Sequence, residues 1–96
     1  MLEGYVVRTE GATLARLPDV DAVLVNLDNG ACYSLNAVGI FVWDHADGSL
    51  SVRDVVADVA RHFGVEEQRA SADVLAFVGH LVEEGLVTID EAPTSL

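Results

Sequence analysis

Hydrophobic and polar positions alternate from Ala22 to Leu27 and again from Ala31 to Leu35, the period-2 pattern of half-buried strands. In the first run Val23, Val25 and Leu27 share one face and Asn26 takes the other, which assigns the core face to the three aliphatics. Asp28-Asn29-Gly30 between the runs supplies residues that tolerate positive φ, as a tight hairpin between right-twisted strands requires. In the second run Ala31, Tyr33 and Leu35 point inward. Asn36 is a good helix N-cap, and Val38, Phe41 and Val42 then give an apolar stripe to a helix from about Ala37 to Ala46, closed by Asp47-Gly48.

The same reading extends to both sides. Tyr5 to Arg8 is β-prone and reads as either an added strand or an ordered arm. Thr13 to Leu17 predicts a strand that the Pro18-Asp19-Val20-Asp21 turn returns into the Ala22 run, making a three-stranded antiparallel meander. Ser51 and Asp54 have the spacing of a capping box and open a second helix, with Val52, Val55, Val56, Val59 and Phe63 buried and Gly64 at its end. A third helix, roughly five turns long, runs from Glu66 or Glu67 to Glu84. Val74, Leu75, Val78, Leu81 and Val82 make its core stripe, while Ala70, Asp73 and Phe77 form a neighbouring flank that is partly free to touch something else. Leu86 to Ile89 is a short β-prone run that either covers the core or adds a small strand. The predicted class is α+β, a three-stranded antiparallel meander followed by three helices, resembling a winged helix-turn-helix. Residues 1–90 form one domain and 91–96 a flexible tail.

Composition adds two constraints. The chain has 96 residues, 51% of them hydrophobic and spread throughout, enough for one modest core. It carries 16 acidic side chains against five arginines and no lysine, a formal charge of −11. Duplex binders gain much of their affinity from cations set against phosphates, and five dispersed arginines form no such patch, so nucleic acid is not an expected partner. The acidic surface keeps the chain soluble or meets a basic peptide or protein. No apolar run approaches the roughly 18 residues of a membrane span and no secretion signal opens the chain, so a cytoplasmic protein without a membrane partner is expected. The single cysteine, Cys32, agrees with a reducing compartment.

Chemistry-bearing residues are sparse. His45, His62 and His80 fall on three different predicted helices, with no spacing that commits one to Cys32 as a catalytic partner or all three to a metal. The glycines form no phosphate-binding loop. No catalytic residue, metal ligand or cofactor is assigned.

Several stretches together resemble one family. Asp28-Asn29-Gly30, Tyr33-Ser34-Leu35-Asn36, Gly39, Trp43, Asp47-Gly48, and the closing Ala72-Asp73-Val74-Leu75-Ala76-Phe77 with Leu81-Val82-Glu83-Glu84-Gly85-Leu86-Val87 are similar to the PqqD-like proteins. The likeness runs from about Thr13 to Ile89. It implies a non-catalytic chaperone that holds the leader of a ribosomally made, modified precursor peptide. The partner enzyme would be a radical-SAM protein, a leader peptidase or a cyclase, and the pathway stays open.

The residues agree with such a role. A meander whose last strand passes straight into a helix leaves Ala31, Cys32, Tyr33, Ser34 and Leu35 with an unpaired backbone edge, to which an extended peptide can add as a further strand. Tyr33 and Leu35 would floor a groove walled by Asp73, Val74 and Phe77, with Ala70 on the same flank and Asp73 drawing in a basic side chain. A monomer or weak homodimer is expected. Two other classes fit less well. A DNA-binding winged helix fits the topology but not the charge. An acyl or peptidyl carrier would need Asp next to the modified serine, whereas Gly48 separates Asp47 from Ser49, and a carrier has no place for the hairpin.

Overall fold

The computed structural model describes residues 3–16 and 22–91. The expected turn at Pro18 to Asp21, the strand end at Leu17 and the tail beyond Glu91 lie outside these residues. Along the chain run β1 (Tyr5–Arg8), β2 (Ala12–Arg16), β3 (Ala22–Asn26), β4 (Cys32–Leu35), α1 (Ala37–Asp44), β5 (Asp47–Ser51), α2 (Val52–Phe63), α3 (Glu67–Glu83) and β6 (Val87–Asp90). The strands form two antiparallel sheets, ordered β2-β3-β4 and β5-β1-β6. The α+β class and the meander are as expected.

The second sheet is more than the sequence pattern showed. Tyr5–Arg8 is its central strand, and the run after α3 pairs with it as β6, Val6 opposite Ile89 and Arg8 opposite Val87. The Asp47-Gly48 stretch, expected only to stop α1, instead begins β5. Its pairing with β1 shifts register between Tyr5–Ser51 and Val7–Asp47. Gly48 supplies a φ of 85° within this irregular stretch. Hydrogen bonds from the Ser49 hydroxyl and amide hold the Asp47 carboxyl below its usual pKa and fix this local bend. A bulged five-residue strand with polar ends has no clean period-2 signal, which explains why it was not foreseen.

Local chemistry accounts for the helices. Asn36 caps α1 by accepting the Gly39 amide at 2.9 Å. The Ser51 capping box on α2 is complete in both directions, and Gly64 ends the helix in the left-handed region at φ 65°. Val52, Val55, Val56 and Val59 are buried as expected. On α3 the buried stripe is Ala70, Val74, Val78 and Leu81, rotated from the predicted one: Leu75 is half-buried and Val82 is 38% exposed. Ala70, wholly buried, takes the place given to the larger side chains.

The face of β3 is also reversed. Ala22, Leu24 and Asn26 point to the core at 2%, 0% and 7% exposure, whereas Val23 and Val25 are half-buried on the opposite face and Leu27 is 61% exposed. Both faces of this strand are largely apolar, so periodicity alone did not choose between them. Cross-strand partners decide it: Leu24 lies between Leu14 and Tyr33, and Ala22 lies beside Leu35, which enters the core at 4% exposure. Asn26 is tolerated inside because its Oδ1 accepts the Asp28 amide at 2.9 Å, holding the hairpin.

Arginines from both sheets meet the end of α1. Arg8 of β1 lies 5.9 Å from the Trp43 ring centroid and donates to the Trp43 carbonyl at 3.0 Å. Arg16 of β2 sets one guanidinium nitrogen, Nη2, against both carboxylate oxygens of Asp44, at 2.8 and 2.7 Å.

The reversed face predicts a specific ranking of stabilities. Leu24→Ala should lower the unfolding free energy by about 2–5 kcal/mol, as for other wholly buried leucines. Val25→Ala should lower it by less than about 1 kcal/mol, as for surface positions. Urea denaturation of the two variants gives the comparison, and the opposite ranking would return Val25 to the core.

Candidate functional site

Among the described residues, strand β4 is paired on one side only. The bond from the Asn26 amide to the Ala31 carbonyl, 2.8 Å, sets the alternation of the β3–β4 ladder. With Leu24 opposite Tyr33 and Ala22 opposite Leu35, those residues exchange bonds with β3, while the N–H and C=O groups of Cys32 and Ser34 turn to the outer edge. The edge stays open because β4 runs into α1 through one residue, Asn36.

Beside this edge lies a cleft of about 450 Å³ bounded by Asn36, Val38, Gly39, Asp73, Ala76, Phe77 and His80. It is within the usual size range of ligand sites, roughly 300–1,000 Å³. Gly39 makes it possible: a Cβ there would stand 3.3 Å from the Phe77 ring and 3.4 Å from the Leu35 Cβ, so α1 and α3 approach closely only over a glycine. Leu35, Asn36 and Gly39 thus act as one joint, core anchor, cap and close approach.

On α3 the residues Asp73, Phe77, His80 and Glu84 follow one another at helical spacing along the side facing β4. Tyr33 reaches across to them. Its hydroxyl donates to Glu84 Oε2 at 2.9 Å, and its ring meets His80 edge-on with centroids 5.9 Å apart. Bonding to the Glu84 carboxylate, with some desolvation and charge repulsion, raises the Tyr33 pKa above its ordinary 10.0.

The expected site residues divide into two groups. Tyr33 is half-buried and Leu35 is buried along the inner side of β4, Cys32 and Ser34 are exposed, and Ala31 precedes the strand. Asp73 and Phe77 front the cleft. Ala70 and Val74 are wholly buried in the core, so they hold α3 in position and offer the cleft no surface. Asn36, Val38, Gly39, Ala76 and His80 line the cleft beyond those expectations, and Glu84 holds the Tyr33 hydroxyl beside it. The available signal was the i, i+4, i+7, i+11 row from Asp73 to Glu84. Cys32 is a free, exposed thiol. Among the described residues no three His, Cys, Asp or Glu side chains are gathered to hold a metal ion. None of the described helices is long and apolar enough to cross a membrane.

The fold is a helix-turn-helix, α2 and α3, backed by the β5-β1-β6 sheet, with a second sheet whose open edge borders a cleft. The chain belongs to the PqqD family: the family model described as Coenzyme PQQ synthesis protein D matches residues 21–87. It is similar to the solved structure "Lasso peptide synthetase B1 complexed with the leader peptide", with 26% identity over 86% of this chain and 96% of that chain, and a TM-score of 0.71. It shares its fold with "TbiB1 in Complex with the TbiA(beta) Leader Peptide", at 21% identity over 84% of this chain and 93% of that one, and a TM-score of 0.72. Comparison with curated proteins finds no match.

The Tyr33–Glu84 link has a titration signature. The phenol donates only while protonated, so the link is present below the Tyr33 pKa and is lost as pH rises through its raised value. Glu84→Gln should move the Tyr33 titration back toward 10.0. Absorbance near 295 nm across alkaline pH checks this, and an unmoved titration would remove Glu84 as its cause.

Proposed function

We propose that this chain is a non-catalytic binder of the leader segment of a ribosomally made, post-translationally modified precursor peptide. The leader adds to the outer edge of β4 as an extended strand, and the rest of the precursor is presented to a modifying enzyme or leader peptidase. The observation that carries this reading is the open edge at Cys32 and Ser34 beside the Phe77 cleft. Backbone hydrogen bonds would hold the peptide whatever its sequence, while its alternate side chains would enter the cleft and give selectivity. Membership of the PqqD family and likeness to a protein solved with a leader peptide support it.

Asp73, exposed at the cleft mouth and with no ion pair among the described residues, suits a basic side chain of the leader. A radical-SAM protein, a leader peptidase and a cyclase are all compatible as the acting enzyme. Of the five arginines, Arg8 is held on Trp43, Arg16 on Asp44, Arg53 on Glu3 and Arg61 on Asp58, which leaves little cationic surface for a nucleic-acid backbone.

Ordering a disordered leader costs about 2–5 kcal/mol of the gross contact energy. Affinity is therefore expected at roughly micromolar to tens of nanomolar, about −8 to −10 kcal/mol. Calorimetry with the leader of the precursor encoded beside the gene measures it, and absence of heat at tens of micromolar would count against the reading.

A proline at position 34 separates this mode from others. Ser34 gives β3 no backbone bond, so Ser34→Pro removes an outward donor while sparing the sheet. The variant should stay folded and bind the leader at least about tenfold more weakly, about 1.4 kcal/mol. Unchanged affinity would rule out strand addition at β4.

A further inference from the structure

Among the described residues, the side of the β2-β3-β4 sheet that faces away from the core carries no charge. Its two cross-strand rows are Thr13–Val25–Cys32 and Ala15–Val23–Ser34. Thr13, Ala15, Cys32 and Ser34 are exposed, and Val23 and Val25 are half-buried without joining the partly buried side chains packed on the core. Leu27, 61% exposed, prolongs the valine stripe past the end of β3. A sheet face turned to water usually alternates toward polar and charged side chains. Here the strongest aliphatic stripe of the strand faces outward in a chain of net charge −11, where sequence and core packing disagree. Such disagreement marks a surface kept for contact.

We propose that this face docks a second protein, the enzyme that acts on the bound peptide, through an apolar patch of that enzyme rimmed by lysine or arginine. The proposal rests on the leader-binding reading above. Two observations select this occupant. The face is continuous with β4, whose Cys32 and Ser34 present their side chains to it and their backbone to the peptide edge, so a protein seated there lies against the peptide. Its rim at the hairpin end is acidic: the Leu27 amide bonds the Gly11 carbonyl at 2.8 Å, so exposed Glu10 and Asp28, each one residue further along its own strand, lie together just past Leu27. Neither has an ion-pair partner among the described residues. That rim attracts a basic partner and repels a second copy of this chain. The small side chains of the outer strands let another protein's surface approach the valines closely.

The test uses the whole chain and the purified modifying enzyme encoded beside its gene, with binding measured by interferometry in the absence of peptide. Val25→Lys should weaken enzyme binding at least tenfold, Val25→Ile should leave it within twofold, and both should bind the leader like the original chain. Thr13→Lys, on the exposed strand β2, carries the same expectation should Val25→Lys fail to fold. Enzyme binding that is absent from the original chain, or indifferent to lysine at both positions, overturns the proposal. So does sedimentation showing a dimer that Val25→Lys dissociates while enzyme binding persists, because the face then belongs to a second copy. Leader titrations of the same samples keep the two readings apart. An original chain that binds enzyme but no leader defeats the strand-addition reading, whereas one that binds leader but ignores the lysines defeats only the docking face.

Discussion

The direct passage of β4 into α1 governs much of this structure. With one residue between strand and helix, the chain leaves the sheet at Leu35, and no later strand of the described chain pairs beyond β4. The later strands go instead to β1, where β5 and β6 build a separate sheet. The same junction sets the cleft. Asn36 fixes where α1 starts, Gly39 falls one turn later, and its missing Cβ lets α3 bring Phe77 beside Leu35. An open edge and an adjoining cleft are thus two results of one short connection.

Much of this was legible because each signal has a local cause. The hairpin follows from Asp28-Asn29-Gly30, and the caps follow from Asn36 and from the Ser51–Asp54 pair, all of which act within a few residues. The open edge at Ala31 to Leu35 needed only the order of strand, helix and turn. What failed required knowledge of tertiary neighbours. Val23, Val25 and Leu27 looked like the core stripe because they are more uniformly apolar than Ala22, Leu24 and Asn26, yet the inner face is fixed by Leu14, Tyr33 and Leu35 across the sheet. On α3 the choice between Ala70 and Val82 for the core depended on which side of the helix the rest of the fold covers, which no period reports. The Tyr33–Glu84 bond joins residues 51 apart in sequence and left no pattern to read.

Charge placement completes the picture. Four of the five arginines are held by partners within the fold: Arg8 and Arg16 join the two sheets to the end of α1, and Arg53 and Arg61 pair at the surface. Exposed pairs of this kind contribute little stability singly. Their larger effect is on what is left over, an acidic exterior with most of the cations already engaged. Asp73 and Glu84 then set the sign of the groove, and Glu10 and Asp28 the sign at the end of the hairpin.

An unpaired strand edge invites pairing between copies, and proteins that keep one need a means of refusing their own kind. This chain has two such means. Strand β4 has only four residues, Cys32–Leu35, so it offers a short template on which few backbone bonds can form. Each copy also carries a formal charge of −11, and with acidic side chains at the groove and at the hairpin, edge-to-edge approach of two copies brings like charges together. In the proposed binding mode both devices would discriminate. A basic extended peptide would gain from the charge that repels a second copy, and contacts with Phe77 and Val38 in the cleft would compensate for the few backbone bonds that a short edge allows. On the strand-addition reading, the acidity that first appeared as bulk composition would therefore be part of the selectivity of the edge.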